Sequence, residues 1–410
     1  MRKSYWLTLA CLLLTFRATA ATIALTGGTV YRSPSDPPIV RGVVIVTDGK
    51  IAAVGGPTTP IPAGSMRIDC RNSVVTAGFW NSHVHFVQQK WSNAATSPAN
   101  ELGDEMREML TRYGFTSVFD VGSYLANTLA LRRRIEAGEF AGPRILTTGE
   151  IIFPRGGKPA DAVMGALGFI VGPMPEVATP EEGRAAAQRI LDGGADAVKI
   201  YAATWAGPHI VMPQPVVAAI AEEAHRRNKL LLAHPSDGNG MKSAIDGGAD
   251  ILVHTAPNAG RWSADLIATL MKKKIAVIPT LKLFKYEARH GRQAWAKPFI
   301  DAGVDQLRAF AAAGGTVLFG TDVGYMEDYD TADEYRLMAE AGLTFRQILA
   351  TLTTAPAERF GFDSSSGRIA AGYDGDLVVV PAAAVDDPAR LANVRTTIRR
   401  GAIVFSNPAF

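Results

Sequence analysis

The sequence predicts an α/β protein, a (β/α)8 TIM barrel that carries one small β-domain assembled from both termini. Three observations predict it. Between about residues 74 and 360, eight short apolar runs alternate with longer amphipathic segments. Runs that are apolar throughout form parallel strands buried on both faces, and eight β-then-α units imply a closed barrel. The flanks on both sides are β-rich, with Gly, Pro and Asp-Gly turns. Finally, His83, His85, Lys199, His234, His254 and Asp322 each sit at or just beyond the C-terminal end of an apolar run. Those ends share one face of a barrel, the face on which active sites of that fold lie.

Taken in order, residues 1–20 read as a secretory signal peptide. Arg2 and Lys3 supply a basic start, eleven largely apolar residues run from Trp6 to Phe16, and Ala18-Thr19-Ala20 is a small-residue cleavage site. Eleven residues are too few for the roughly 20 that span a bilayer, and Arg17 closes the run. The expected location is periplasmic or secreted. Residues 21–73 are expected to form the N-terminal part of the β-domain, with strands at 22–26, 42–47 and 50–54. The barrel is expected over 74–362, with strands at 74–81, 116–121, 144–148, 197–201, 230–233, 251–253, 275–279 and 316–320. Helices fall between them, for example at 180–192, 213–227, 263–272 and 297–312. The first of these opens Thr179-Pro180-Glu181-Glu182, a capping residue followed by proline at the first helical position and acids in the first turn. Two connections are long, 150–179 and 281–296, and both follow strand C-termini, so they are expected to overhang the site. Residues 363–410 complete the β-domain, with strands at 376–380 and 396–405.

Charge and cysteine content narrow the partners. Cleavage removes Arg2, Lys3 and Arg17 and no acid, so the formal charge of +3 becomes zero. A neutral mature chain gives no footing for nucleic acid or a membrane surface. Of two cysteines only Cys70 remains, which leaves no internal disulfide and no thiol cluster for zinc. A chain of this length with 47% hydrophobic residues can bury a large core without such staples.

Four imidazoles, one lysine and one carboxylate converging on one face point to a metal centre. His83 and His85 are two residues apart, so on a strand both project to one side, and imidazole nitrogens suit zinc and its neighbours. Lys199 follows Ala197-Val198 in a buried-strand pattern. An ammonium cannot ligate a cation, whereas a desolvated lysine is neutral more often and can add carbon dioxide to become a carbamate. The alternative is a buried lysine paired with an acid such as Asp120. Tyr201 shares parity with Lys199, so its phenol is a candidate oxyanion partner, with a packing aromatic as the other reading. His209 is a candidate substrate contact in the loop after the fourth strand. His225 lies in mid-helix and reads as structural.

These residues resemble the amidohydrolase superfamily of metal-dependent hydrolases, and within it the imidazolonepropionase-like group that includes Xaa-Pro dipeptidases. The resemblance rests on Ala77-Gly78-Phe79-Trp80-Asn81-Ser82-His83-Val84-His85, on Gly320-Thr321-Asp322, and on Thr354-Ala355-Pro356-Ala357-Glu358-Arg359-Phe360-Gly361. Gly367-Arg368-Ile369 and Gly372-Tyr373-Asp374-Gly375-Asp376-Leu377 complete it. Two departures stand out. Gly375 occupies a position where alanine is common, and a histidine often found after the strand-8 aspartate is absent. The resemblance implies a TIM barrel with a small β-sandwich domain. It also implies two divalent metal ions, zinc foremost, held by His83, His85 and Asp322 on one side and His234 and His254 on the other, with carboxylated Lys199 as the bridging ligand. The implied reaction is hydrolysis of an amide bond in a dipeptide or N-acyl amino acid, by attack of a metal-bridging hydroxide with Asp322 as proton shuttle. A substrate carboxylate needs a cation, for which Arg155, Lys158, Lys282, Lys285 and Arg289 on the long connections are the candidates. Relatives commonly assemble, so a homo-oligomer is an expectation.

Two other readings remain. A mononuclear deaminase or cyclic-amide hydrolase on the same fold would leave Lys199 unmodified. Deaminases of the superfamily carry a glutamate three residues after the strand-5 histidine, and Asp237 stands there. A binding protein on a retired scaffold would have shed ligands, and all six are present.

Overall fold

The computed structural model describes residues 22–204, 207–289 and 296–407. The proposed signal segment at 1–20 lies outside them.

Strands from both ends of the chain pair into one sheet of eight. Its order runs Ala402–Ser406, Thr396–Arg399, Leu377–Pro381, Ser73–Ala77, Thr22–Val30, Ile39–Thr47 and Lys50–Gly55, with Met66–Asp69 also paired to Thr22–Val30. The seam is Leu377–Pro381 against Ser73–Ala77, antiparallel, with Leu377 opposite Ala77. Where a sandwich is expected, the strands are hydrogen bonded as a single sheet. It bends at Gly27-Gly28, because Thr22–Val30 pairs with Met66–Asp69 along its first half and with Ser73–Ala77 along its second. A Cβ on Gly28 would lie 2.9 Å from Cys70 Cβ, so only glycine admits the bend. Ile23, Leu25, Val44, Val75, Leu377 and Ile398 form the core beneath this sheet.

The run at 74–81, expected as one strand, is two. Ser73–Ala77 belongs to the terminal sheet, and Phe79–Val84 begins the parallel part. The break is at Gly78, where a Cβ would come within 2.1 Å of Thr116 Oγ1. The parallel strands fall into a group of three, Phe79–Val84, Phe115–Asp120 and Arg144–Thr147, and a group of four, Ala197–Tyr201, Leu230–His234, Ile251–Val253 and Ala276–Ile278. Isolated parallel bridges link Ile152 to Ile200, Val277 to Val317, and Val84 to Val323. The segment expected as the eighth strand, 316–320, contributes one such bridge, at Val317, and single hydrogen bonds, for example Leu318 N–H to Val277 O at 2.9 Å and Ser82 N–H to Phe319 O at 2.7 Å.

Alternation along these strands separates two layers. Val198 and Ile200 belong to an outer core against the helices, whereas Ala197 belongs to an inner core with Trp80, Phe119, Leu232, Ile251 and Ile278. Lys199 and Tyr201 share the parity of Ala197 and therefore face inward. Phe360 and Phe362 seal the inner core from below, each with its ring centroid 5.6 Å from that of Trp80.

The helix Pro180–Asp192 carries the expected capping box, with Thr179 and Glu182 exchanging side-chain and backbone bonds. The connection after the seventh strand differs from expectation: Leu281–Arg289 is a helix that buries Leu281, Leu283, Phe284 and Ala288. Among the described residues no helix is long and apolar enough to cross a membrane.

Candidate metal centre

Beyond the C-terminal ends of the parallel strands lies a cavity of about 550 Å³. His83, His85, Lys199, Tyr201, His209, His234, His254 and Asp322 all line it. The sequence scatters these eight over 240 positions; the strand order brings them to one place.

Phe79–Val84 delivers His83 and, just past its end, His85, and the loop Gly320–Gly324 is clamped against it. Asp322 N–H donates to His83 O at 2.9 Å and His85 N–H donates to Val323 O at 2.9 Å. Asn81 ties both sides, donating through Nδ2 to Thr321 Oγ1 at 2.7 Å and accepting from His83 N–H at 3.2 Å. Asp322 itself sits in left-handed backbone at φ 65°, a conformation uncommon outside glycine. Its strain is held by those bonds, and it turns the carboxylate onto the histidines.

There, His83 Nε2 and His85 Nε2 are 3.1 Å apart, and Asp322 Oδ1 is 3.2 and 3.0 Å from them. His254 Nε2 is 3.9 Å from Asp322 Oδ2. His85 Nδ1–H donates to Gly122 O at 2.8 Å. Thr280 donates its hydroxyl to Pro279 O and so accepts from His254 Nδ1–H. Both bonds fix the tautomer that turns a bare Nε2 lone pair inward, the arrangement that ligand histidines need. A bare imidazole nitrogen facing a carboxylate oxygen at 3.0 Å is lone pair against lone pair. A cation between them resolves that repulsion, and the donor set fits a divalent ion of the zinc type.

Electrostatics agree. Burial pushes His83 down to about 4 and holds His234 and His254 well below the usual imidazole range. The Asp322 carboxyl is held well below its ordinary range although burial pushes it upward. Neutral imidazoles beside an ionised carboxylate are the protonation states a cation requires.

Lys199, 1% exposed, has its ammonium pushed down to about 7 by burial, against the opposing pull of Asp322 and Asp120. The pairing with Asp120 is not realised. That carboxylate is taken up by Ser123 Oγ, Thr128 Oγ1 and Thr147 Oγ1 at 2.6, 2.9 and 2.8 Å. Beyond Lys199, the His234 ring lies 4.7 Å from that of His254 and stacks on Tyr201 at 4.2 Å, and Tyr201 stacks in turn on Phe153 at 4.9 Å. His209 donates through Nε2 to Asp237 Oδ2 at 2.5 Å, while Asp237 Oδ1 caps the next helix through Gly240 N–H. The position at which a deaminase glutamate is sought is thereby engaged on both oxygens.

The five candidate cations for a substrate carboxylate point elsewhere. Arg155 pairs with Glu182, Lys158 with Asp161, Lys282 with Asp328, and Lys285 and Arg289 with Asp333. None of the five lines the cavity. Helix geometry is the reason: 282, 285 and 289 share one face of Leu281–Arg289, and the face turned to the cavity presents Phe284, Glu287 and Ala288. Glu287 and Tyr325 line the cavity without having been foreseen. Reading 281–289 as a helix would have offered Glu287, and Tyr325 stands three residues past Asp322.

Parallel strands that gather imidazoles and a carboxylate at their C-terminal ends define an α/β protein with a candidate metal site in the cavity on that face. The amidohydrolase family profile matches residues 74–404, and the chain belongs to that family. It is a hydrolase acting on amide C–N bonds. Among curated proteins it is similar to the ochratoxinase of Aspergillus niger, 25% identical over 396 residues that cover 86% of this chain and 80% of that one. Among solved structures it resembles a Xaa-Pro dipeptidase with methionine in the active site, with a TM-score of 0.79 at 21% identity over 94% of this chain and all of the other. The A. niger ochratoxinase structure gives 0.76 at 21%, over 95% and 96%. Likeness at that identity establishes the fold.

Proposed function

We propose that this chain is an exported binuclear metal hydrolase that cleaves the amide bond of a dipeptide or an N-acyl amino acid. The observation that carries the reading is the approach of His83 Nε2 and His85 Nε2 to one Asp322 oxygen, at 3.2 and 3.0 Å, inside a buried cavity. The ochratoxinase and Xaa-Pro dipeptidase likenesses support amide chemistry. Export rests on the pattern of residues 1–20. The reading includes a signal peptide at 1–20, a β-domain from 21–73 and 363–410, and a closed eight-stranded barrel over 74–362. The bridges Ile152–Ile200, Val277–Val317 and Val84–Val323 support closure.

His83, His85 and Asp322 would hold one ion, His234 and His254 the other, and Lys199 as its carbamate would lie between. Bound there, the ions supply Lewis acidity toward the scissile carbonyl and bring the pKa of water from about 15.7 towards roughly 7. Asp322, held well below the ordinary carboxyl range although burial pushes it upward, accepts the proton of the attacking water and passes it to the leaving amine. Tyr201 stands on the inward side of its strand, where its phenol donates to the developing oxyanion. His209 contacts substrate at the mouth, oriented by Asp237.

The test is turnover of a panel of dipeptides and N-acyl amino acids by the mature protein, reconstituted with zinc or manganese and bicarbonate. Hydrolysis that a chelator abolishes and added metal restores is the expected result. Failure to cleave any amide after reconstitution overturns the proposal. A mononuclear enzyme is the second reading. It is favoured by the histidine and carboxylate groups: among the described residues only His83, His85 and Asp322 have such ligand atoms within 4.8 Å of one another.

A further inference from the structure

Which charge the substrate brings can be read from the cavity wall opposite the metal ligands. Glu287 lies on the inward face of Leu281–Arg289, and its Oε1 accepts a hydrogen bond from Tyr325 Oη at 2.8 Å. Tyr325 follows Asp322 by three residues, and its phenol is raised by burial first and then by the charges of Glu287 and Asp322. Glu287 and Tyr325 line the same cavity as His83, His85 and Asp322. Glu287 lines a cavity whose other carboxylates are already engaged. Asp322 meets the histidines, and Asp237 meets His209 and a helix N-terminus.

Cations are scarce on the same wall. Among the described residues the cavity is lined by one lysine, Lys199, on the metal side, and by no arginine. The basic residues of the long connections are held in ion pairs, Lys158 with Asp161 on an adjoining cavity that shares His85, Tyr201 and Tyr325 with this one. A substrate carboxylate in this part of the cavity would be desolvated without a partner and would face Glu287, a doubly unfavourable placement. An ammonium finds a charge-assisted acceptor there. Beside Glu287, Leu283, Phe284, Ala288 and Phe299 make an apolar wall, with the Phe284 and Phe299 rings edge to face at 5.2 Å.

We propose that Glu287 is a specificity-determining residue that selects amides carrying a free ammonium beside a bulky apolar side chain, and that it disfavours N-acyl amino acids. The inference rests on the amide-hydrolase reading and decides between its two substrate classes. In it Glu287 takes no part in bond breaking; it binds the amino-terminal charge while the scissile carbonyl lies toward Asp322.

The experiment is calorimetric binding to the metal-loaded protein and to its Glu287→Gln variant, which keeps side-chain size and an acceptor for Tyr325. Three probes separate the charges: phenylalaninamide (ammonium), N-acetylphenylalaninamide (neutral) and N-acetylphenylalanine (carboxylate). Phenylalaninamide is expected to bind the native protein at least tenfold tighter than N-acetylphenylalanine. Glu287→Gln is expected to weaken phenylalaninamide about tenfold, leave the neutral probe unchanged and strengthen the carboxylate. Equal changes for all three probes, or tighter native binding of the carboxylate probe, overturn the proposal. Binding is read without turnover, so a protein that binds as expected but cleaves no dipeptide contradicts the hydrolase reading alone.

Discussion

Thr280 shows how much of the candidate metal centre would lie outside the proposed ligands themselves. It is buried, and it holds left-handed backbone at φ 44° to receive His254 Nδ1–H. Thr280→Ala removes a side-chain bond that orients His254. Partners of this kind contribute roughly 10–100-fold in metal affinity, and a loss in that range is the expected outcome of a chelator-competition titration. Unchanged affinity would mean that His254 is not a ligand. The titrating groups make a second residue-scale prediction. Burial lowers His83 from 6.5 to about 4, so as pH falls below 6.5 the unfolded chain takes up a proton that the folded chain refuses. Stability of the metal-free protein therefore falls from about pH 6.5 towards pH 4. Burial lowers Lys199 from 10.5 to about 7, so between those values the unfolded chain holds a proton that the folded chain lacks. In that window stability rises with pH. Denaturant midpoints of the metal-free protein should increase from pH 4.5 to 6.5 and again from pH 7 to 9, and Lys199→Met should flatten the upper slope. A flat upper slope in the native protein contradicts a buried neutral lysine.

Strand ends and the loops clamped on them set the site at the next scale. Gly324, at φ 97°, lies so close to the first parallel strand that a Cβ would stand 1.9 Å from His85 O. Gly324→Ala must push the Asp322 loop away from His85. Overpacking combined with left-handed strain predicts roughly 2 kcal/mol or more of lost stability and a loss of bound metal, read by thermal unfolding and metal content together. Much at this scale was legible beforehand. H-x-H at 83 and 85 and Gly320-Thr321-Asp322 are local patterns on strong apolar runs, so their strand-end placement follows from the sequence. Other parts were hidden for identifiable reasons. The break at Gly78 depends on Thr116, which is remote in sequence. The bond from His85 to Gly122 uses a backbone carbonyl, which no side-chain pattern reports. Glu287 was missed because Lys282, Lys285 and Arg289 drew the connection towards a loop, when those three residues share a helix face turned away from the cavity, Lys282 buried there against Asp328.

Across the whole molecule, two ends of the chain build one sheet, and that sheet is fastened to the parallel strands from below. Arg144, at the start of a parallel strand, pairs with Asp374 of the C-terminal segment at 2.7 Å, and Gly78 N–H donates to Asp376 O at 2.8 Å. The terminal sheet thus braces the end of the strands opposite the cavity, leaving the C-terminal ends to converge on chemistry. On the proposed reading this convergence would hold two ions around a modified lysine. The most direct test is metal content per chain of the purified mature protein, paired with intact and peptide mass spectrometry at neutral pH. Close to two ions per chain, with one carbon dioxide added at Lys199, is the predicted result. One ion and a free lysine would contradict the binuclear account, and no ion after reconstitution with zinc or manganese and bicarbonate would contradict a metal centre altogether.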